Sequence, residues 1–570
     1  MARVRDVVIH NFRCIRRLHW MPSPGINALV GPGDAGKSTI LEAIDYCLAA
    51  RRTIAFTDAD FYKLDATQAI KIAITLGDLP ESLLDLDVYG LFLRGFDATT
   101  GTIIDEPGRD CETALTIELT VDASLEPTWL LHSERAAAID QQRSLTWTQR
   151  VALSPIRIGP GAAYHLAWRH GSLLSRLTRD LPDASMALAT AAREARRSFG
   201  DQAGVELHAT LMDLFAEATR LGIQVGNELK AMLDAESVSL GRGTISLHTS
   251  DGVPLQCLGS GSLRLLVAAL QQRLADESSI ILVDELEHGL EPHRILQLLV
   301  ELGSKANLPT SQVFLTTHSP VAVRELSSQT LFVLRTSDDG DHTCAAVGSS
   351  DQVQGTVRTF PEALLSRVIV VCEGASEVGL LRGLDQHDYD NGYPTLAAVG
   401  VVGIDGGGDS RVVGRARALA SLGFRTAILR DNDNGAPVGE SDYEAAGGRV
   451  FCWRPGHALE DELFAELSDN AVHQLIEMAV DKIGAPTADA HIKSASNGSL
   501  GLEQCRGSLT PVHREALGRA AKSKSGTWFK SVSDMERVAR DVIAPGLTES
   551  GAPLKDVVQS LRVWAREVAS

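Results

Sequence analysis

A chain of 570 residues, 44% hydrophobic and 22% charged, is too long for one ordinary domain, and no apolar run approaches the length of a membrane span. Its eight cysteines form no CxxC pair and the basic start MARVRDVVIHNFR lacks the apolar segment of a secretory signal, so the expected setting is the reducing cytoplasm, without disulfide framework or zinc site. A formal charge of −19 speaks against a protein that simply coats nucleic acid, while leaving room for a carboxylate-held cation site and a local basic groove.

In chain order, VRDVVIHNF and INALVGPG read as strands, STILEAIDYCLAA has helical spacing, and KIAITLGDLP returns to strand. Further β-like runs, TALTIELTV and WLLHSE, lie between residues 100 and 160. From about 170 to 236 the chain reads as nearly continuous helix. Leu207, Leu211, Leu214, Ala218, Leu221 and Val225 repeat there in a heptad seam, which suits a helix packed on its own domain as well as one packed on another molecule. SLGRGTISLHTSDGVPL predicts a hairpin turning at Asp251-Gly252. Strands SIILVDE and SQVFLTTH follow, separated by a helix, and the polar run at 336–355 reads as a linker. Beyond it come the apolar strands SRVIVVCEG and RTAILRDND and a helical C-terminal third. Within that third, residues 506–530 carry Arg514, Arg519, Lys522, Lys524 and Lys530 among few acids, a candidate DNA-contacting face that is more often merely solvated.

GPGDAGKST at 31–39 fits G-x-x-x-x-G-K-[ST], set between a strand and a helix. That context matters, because the amides of the loop and the helix N-terminus must converge on phosphates. Gly31, Gly33 and Gly36 shape the loop, Lys37 reaches the β/γ-phosphates of ATP, and Ser38 and Thr39 supply hydroxyls, that of Ser38 to Mg2+. IILVDE at 280–285 is the matching partner: Asp284 ends a buried strand where it can hold Mg2+, and Glu285 can orient or deprotonate the attacking water. LGSGSLRLL at 258–266, Gly289 to Pro292, and His318 in FLTTHSP stand in the order of the signature loop, D-loop and switch histidine of ABC ATPases, which this half resembles. The signature reads GSGS and departs from SGGQ, which puts its nucleotide contacts in doubt. The resemblance implies that Ser260 and Gly261 act in trans on the γ-phosphate of a second subunit.

VIVVCEGASE ends an apolar strand with Glu373, with Glu377 one helical turn further, and AILRDND ends another with Asp431 and Asp433. Acids at the C-terminal ends of parallel strands converge, and repel unless a divalent cation neutralises them. Oxygen-only ligands suit Mg2+ or Mn2+. This E…DxD order resembles the TOPRIM fold of topoisomerases, primases and some nucleases. In ALEDELF, Glu460 is the first choice and Asp461 the second to complete the metal set, against the plainer reading of acids favourable at a helix start. Lys530 is a candidate for stabilising the transition state or leaving oxygen, a role that only the family comparison raises above that of a surface lysine.

Together, GPGDAGKST, LVDELEHGLEPH, TTHSP, VVCEGASE, DND and ALEDEL resemble the OLD (overcoming lysogenisation defect) family of ATP-dependent nucleases, closest to the kind found with a helicase gene in the Gabija anti-phage system. The resemblance covers essentially the whole chain. It implies an α/β protein with an ABC-type P-loop ATPase domain (1–168 and 238–350), interrupted by a helical dimerisation insert (169–237) and followed by a TOPRIM domain with helical extension (364–570). It further implies ATP and Mg2+ or Mn2+ as cofactors, a homodimer or higher assembly, DNA as substrate and a UvrD-like helicase as partner, in anti-phage defence or DNA repair. Glu373, Glu377, Asp431, Asp433 and Glu460 carry over as metal ligands for two-metal phosphodiester hydrolysis. A topoisomerase needs a tyrosine nucleophile in a separate domain, and only Tyr443 follows the DND motif. The alternative from another class is a non-catalytic, ATP-switched DNA clamp of the RecF-like type. Metal-dependent phosphodiester cleavage discriminates the two.

Overall fold

The computed structural model describes residues 2–567, apart from 52, 160–161, 167–171, 175–184, 221–225, 230–246, 274–279, 307–309, 338, 349–350 and 524–525. Two sheets organise the chain. In the larger one, the strands Ile26–Val30, Gln312–Thr316, Ile280–Val283 and Ile156–Ile158 lie side by side in parallel. They read as unbroken apolar runs because both faces are covered: Ile26–Val30, Ile280–Val283 and Gln312–Thr316 are buried at every position. On the other side of Ile26–Val30 the sheet continues through Leu331–Thr336 into an antiparallel wing built on Arg3–Phe12, Ile15–Trp20, Ile70–Gly77 and Glu112–Val121. The pairing of Arg3–Phe12 with Ile70–Gly77 shifts register at a β-bulge between Val4 and Asp6, and the burial alternation slips just after it, at the buried neighbours Asp6 and Val7.

The smaller sheet is parallel throughout, in the order Val401–Asp405, Val368–Cys372, Arg425–Arg430, Arg449–Cys452. One face carries the helix Asp409–Ser421. The other packs on the helix Ala375–Asp390 and the C-terminal helices, with Val370, Leu380, Phe464, Trp528 and Met535 in one apolar cluster. Gly379 and Gly383 let the helix Ala375–Asp390 lie against the backbone of Val532 and Glu536, where any β-carbon would collide. The two sheets share a core: Val283, Leu315 and Val333 of the first belong to the same buried cluster as Val371, Val412, Ala416 and Phe424 of the second. Where they meet, the Arg335 guanidinium lies 3.7 Å from the centroid of the Phe424 ring.

The polar run 336–355 is not a linker. Asp341–Ala346 is a strand, antiparallel to Leu331–Thr336 and parallel to Ile15–Trp20, and Asp351–Thr359 is a helix. Of its apolar residues, Val347 and Val353 enter the shared core. Among its described residues the long helical stretch holds two helices, Ser185–Glu206 and His208–Arg220, broken at Leu207. Of the heptad seam, Leu207 and Leu214 are 44% and 54% exposed, Leu211 is half-buried, and Leu221 and Val225 lie outside the described residues. The predicted hairpin is present as its turn: Gly252 has φ of 79°, and His248 bridges Pro254. Its first strand lies outside the described residues. Among the described residues no helix is long and apolar enough to cross a membrane.

Candidate functional site

The phosphate loop connects Ile26–Val30 to the helix Lys37–Leu48 and needs its glycines at two places. Gly31, at φ of 143°, passes so close to the Leu334 carbonyl that a β-carbon would sit 2.7 Å from its oxygen. Gly36 takes the left-handed conformation, φ of 87°, just before the helix. Gly33 is open on all sides. Lys37 is 4% exposed, and its Nζ donates to the carbonyls of Pro32 (2.7 Å) and Gly31 (3.2 Å). Burial lowers its pKa to about 8, despite the acids Asp34, Glu287 and Asp284 nearby.

Ser38 Oγ donates to Asp284 Oδ1 at 2.8 Å, so the two residues expected to share a cation do meet. Thr316 Oγ1 donates to the same Oδ1 (2.7 Å) and accepts from the Glu285 amide (2.8 Å). Thr39 Oγ1 lies 3.5 Å from Cys14 Sγ. Glu285 has φ of 46°, a left-handed conformation unusual for a side chain of its size, and an exposed carboxylate. His318 ends the neighbouring strand, with its amide donating to Glu287 Oε1 at 2.7 Å. Desolvation and then Lys37 hold its imidazole below the ordinary value, so it is neutral at pH 7. Ser260 and Gly261 begin the helix Ser260–Arg273 and touch Gly289 of the D-loop segment.

The second group gathers at the C-terminal edge of the smaller sheet. Glu373 Oε2 accepts from the Asp431 amide (3.0 Å), and Asp431 Oδ1 accepts from the Leu459 amide (2.8 Å), which ties the strand ends to the helix Leu459–Glu466. Glu377 is 2% exposed; one oxygen accepts from the Gly374 amide and the other has no partner. Glu460 is fully buried with neither oxygen bonded. Unpaired buried carboxylates are costly, and burial accordingly raises the pKa of Glu373 and of Glu460 to about 7. For Glu377 and Asp431 it also pushes the value up, and the carboxylates reinforce one another. Asp433 is exposed, bonded to Asn434, and close enough to add to the shift of Glu373. Lys530 faces the group: burial works against its charge, but Glu460, Asp431, Glu377 and Asp433 outweigh that and raise its pKa.

Among the described residues no three His, Cys, Asp or Glu side chains are placed so that they could hold a metal ion as they stand. The donors are nonetheless those that a hard divalent cation takes, and the orphaned oxygens of Glu377 and Glu460 fit such an ion. Asp461 is set apart, capping its helix at the Ala458 amide and paired with Lys522. Glu462 is held by Arg454. The expected basic face at 506–530 is largely neutralised within the chain: Arg506 pairs with Glu477 and Glu503, Arg514 with Asp469 and Arg519 with Glu515, and Lys524 lies outside the described residues.

The raised carboxylates set a pH dependence. The folded chain holds protons on Glu373 and Glu460 up to about pH 7, which an unfolded chain with ordinary values near 4.5 has lost, so stability falls as pH rises through that window. The metal-free protein should melt lower at pH 8 than at pH 5.5. Mg2+ should recover more of the difference at pH 8, and scanning fluorimetry in chelator and in Mg2+ measures both.

Over residues 26–324, more than half of the sequence, the chain matches the family model "AAA domain, putative AbiEii toxin, Type IV TA system". The chain belongs to this AAA-domain family. It is 24% identical over 354 residues to the OLD nuclease of Thermus scotoductus, a match covering 56% of this chain and 59% of that protein. It is 30% identical over 112 residues to the DNA replication and repair protein RecF of Chlorobium phaeovibrioides, covering 18% of this chain and 30% of that protein. The chain thus spans less than two thirds of either relative. Among solved structures, the Smc head bound to the C-winged helix domain of ScpA overlaps 60% of the chain and 97% of its own, at 13% identity and a TM-score of 0.35. The OLD match bears out the resemblance drawn from the motifs. None of these relatives bears on a helicase partner.

Three residues of the AAA domain's site escaped the sequence reading. Thr316 closes the hydrogen bonds around Asp284 and Glu285. Glu287 holds the Thr317 hydroxyl and the His318 amide. Arg157 comes within 3.7 Å of Asp284 from the strand Ile156–Ile158. Glu287 was legible as the third acid of DELE; the other two sit in ordinary strand sequence, and only their neighbours reveal them.

Proposed function

We propose that this AAA-domain protein is an ATP-regulated, Mg2+- or Mn2+-dependent DNA endonuclease, with a TOPRIM-type nuclease domain following the ATPase. The observation that carries the reading is a pair of buried glutamates, Glu377 with one oxygen unbonded and Glu460 with both, beside Glu373 and Asp431 at one edge of a parallel sheet. A domain that only binds DNA gains nothing from burying such charge. A bound divalent cation would supply Lewis-acid activation of water and of the scissile phosphate. The chain's own groups divide the remaining work. Glu373, Glu377, Asp431, Asp433 and Glu460 are the oxygen donors, with Asp461 left to cap its helix. Lys530, held charged by these acids, stands where it can meet a phosphate oxygen and offset charge developing on it.

In the ATPase half, Lys37, Ser38 and Asp284 bind the phosphates and their Mg2+, Glu285 orients water, and neutral His318 donates or accepts at the γ-phosphate. Ser260 and Gly261 complete the site of a partner copy. The exposed Leu207 and Leu214 support the helical stretch as a contact between copies. The relatives named RecF favour a second reading, an ATP-switched DNA clamp without nuclease chemistry.

Supercoiled plasmid incubated with Mg2+ or Mn2+ separates the readings. Nicking by the wild-type chain that vanishes in Glu373→Ala supports the nuclease. Plasmid left intact by both proteins, across metals and nucleotides, while DNA is retained, supports the clamp.

A further inference from the structure

One buried arginine bridges the signature helix and the catalytic turn of the same protomer. Arg264, in the second turn of Ser260–Arg273, is 1% exposed, and its guanidinium donates to three main-chain carbonyls in succession: Asp284 (3.2 Å), Glu285 (3.0 Å) and His288 (2.8 Å). Those carbonyls belong to the turn that carries the water-orienting glutamate. From the opposite side, Thr316 fixes the same turn by accepting from the Glu285 amide, while the Leu286 amide donates to the Thr316 carbonyl at 2.9 Å. Between these two holds Glu285 keeps φ of 46°. Its carboxylate is 61% exposed and, among the described residues, its one ion-pair partner is His288, at 3.6 Å, so the two holds on its backbone do most to set the direction in which it points.

We infer that Arg264 is a positioning residue for ATP hydrolysis: it holds Glu285 in its left-handed conformation and makes the signature helix and the catalytic turn one rigid body. This rests on the ATPase reading above and adds a direction of information flow. The first residue of the helix touches Gly289, and Arg294, in the helix Pro292–Glu301, donates to Ser262 Oγ at 3.0 Å, so the start of the signature helix cannot shift without carrying residues 284–294 with it. When Ser260 engages a nucleotide held by a second copy, the displacement reaches the Glu285 of its own protomer. The three carbonyls are served from two separate nitrogens of a planar fork, a spread that the three donors on the one nitrogen of a lysine do not reproduce.

The test is ATP turnover by the full chain carrying Arg264→Lys or Arg264→Gln, with affinity for a fluorescent ATP analogue and the melting temperature measured on the same preparations. The expected result is a fall in kcat of at least about tenfold in both variants with KM and analogue affinity within about twofold, the split that marks an interaction serving the transition state alone. Turnover within about twofold of wild type in a folded variant overturns the inference. So does a loss of kcat that only follows a loss of nucleotide affinity or of melting temperature, because a merely structural arginine gives that pattern. A wild-type chain that binds ATP without turning it over removes the ATPase reading and this inference together. Wild-type turnover indifferent to Arg264 removes the inference alone.

Discussion

Glu460→Gln is expected to lower metal-dependent plasmid cleavage by about a thousandfold, equivalent to ~4 kcal/mol of transition-state stabilisation. The substitution keeps the shape and removes one charge. Glu460 is fully buried in the first turn of Leu459–Glu466, and both its oxygens lack a protein partner. A glutamine offers one oxygen and no charge to a cation, so the metal should be weakened more than the fold. The same variant should melt higher than wild type in chelator at pH 8, where the wild-type carboxylate has lost its proton and stands unpaired. Paired readouts make the result diagnostic: less cleavage with greater metal-free stability. Lower cleavage with a lower melting temperature would instead mean that Glu460 is a packing residue, and the ligand assignment would fall.

Glu285→Gln should slow ATP hydrolysis by about a hundredfold while leaving ATP affinity within a few-fold, because in the proposed mechanism the carboxylate acts on water and Lys37 holds the phosphates. The geometry supports the separation: among the described residues the Glu285 carboxylate pairs with His288, whereas Ser38 and Asp284 meet directly at the phosphate loop. A chain that binds but does not hydrolyse should accumulate in its ATP-engaged form. Light scattering is therefore expected to show a larger ATP-dependent assembly for the variant than for wild type. Phosphate release at the wild-type rate would remove Glu285 from the mechanism and turn attention to Glu287, which lies two residues on and holds the His318 amide.

Much of this was legible in the residues. Strands covered on both faces, such as IILV and VIVVC, announce themselves as apolar runs ending in acids, and both ends are where the candidate sites lie. The phosphate loop was legible because its glycines meet backbone constraints at Gly31 and Gly36. Other features could not be read. Asp341–Ala346 contains few apolar residues, since as a strand it needs only the backbone bonds of its two neighbours, so composition made it look like a tether. The basic appearance of 506–530 dissolved because its cations find acids brought close by the helical packing, among them Asp461 and Asp469, which sequence distance hides. Arg264 looked like one more polar residue on a helix. Only the turn that folds over it gives its three donors something to hold.

The core shared by the two sheets has a consequence for how such a chain can be divided or recombined. A cut in the polar stretch between Thr336 and Gly355 looks harmless on paper. It would expose Val412, Ala416 and Phe424 on one fragment, and leave Arg335 on the other with buried nitrogens and no aromatic face to rest on. Neither piece would carry a complete interior, and each would present a sticky seam to its neighbours. The two candidate sites are consecutive along the chain yet rest on one shared core, so shuffling either onto a foreign partner would require remaking the wall between them.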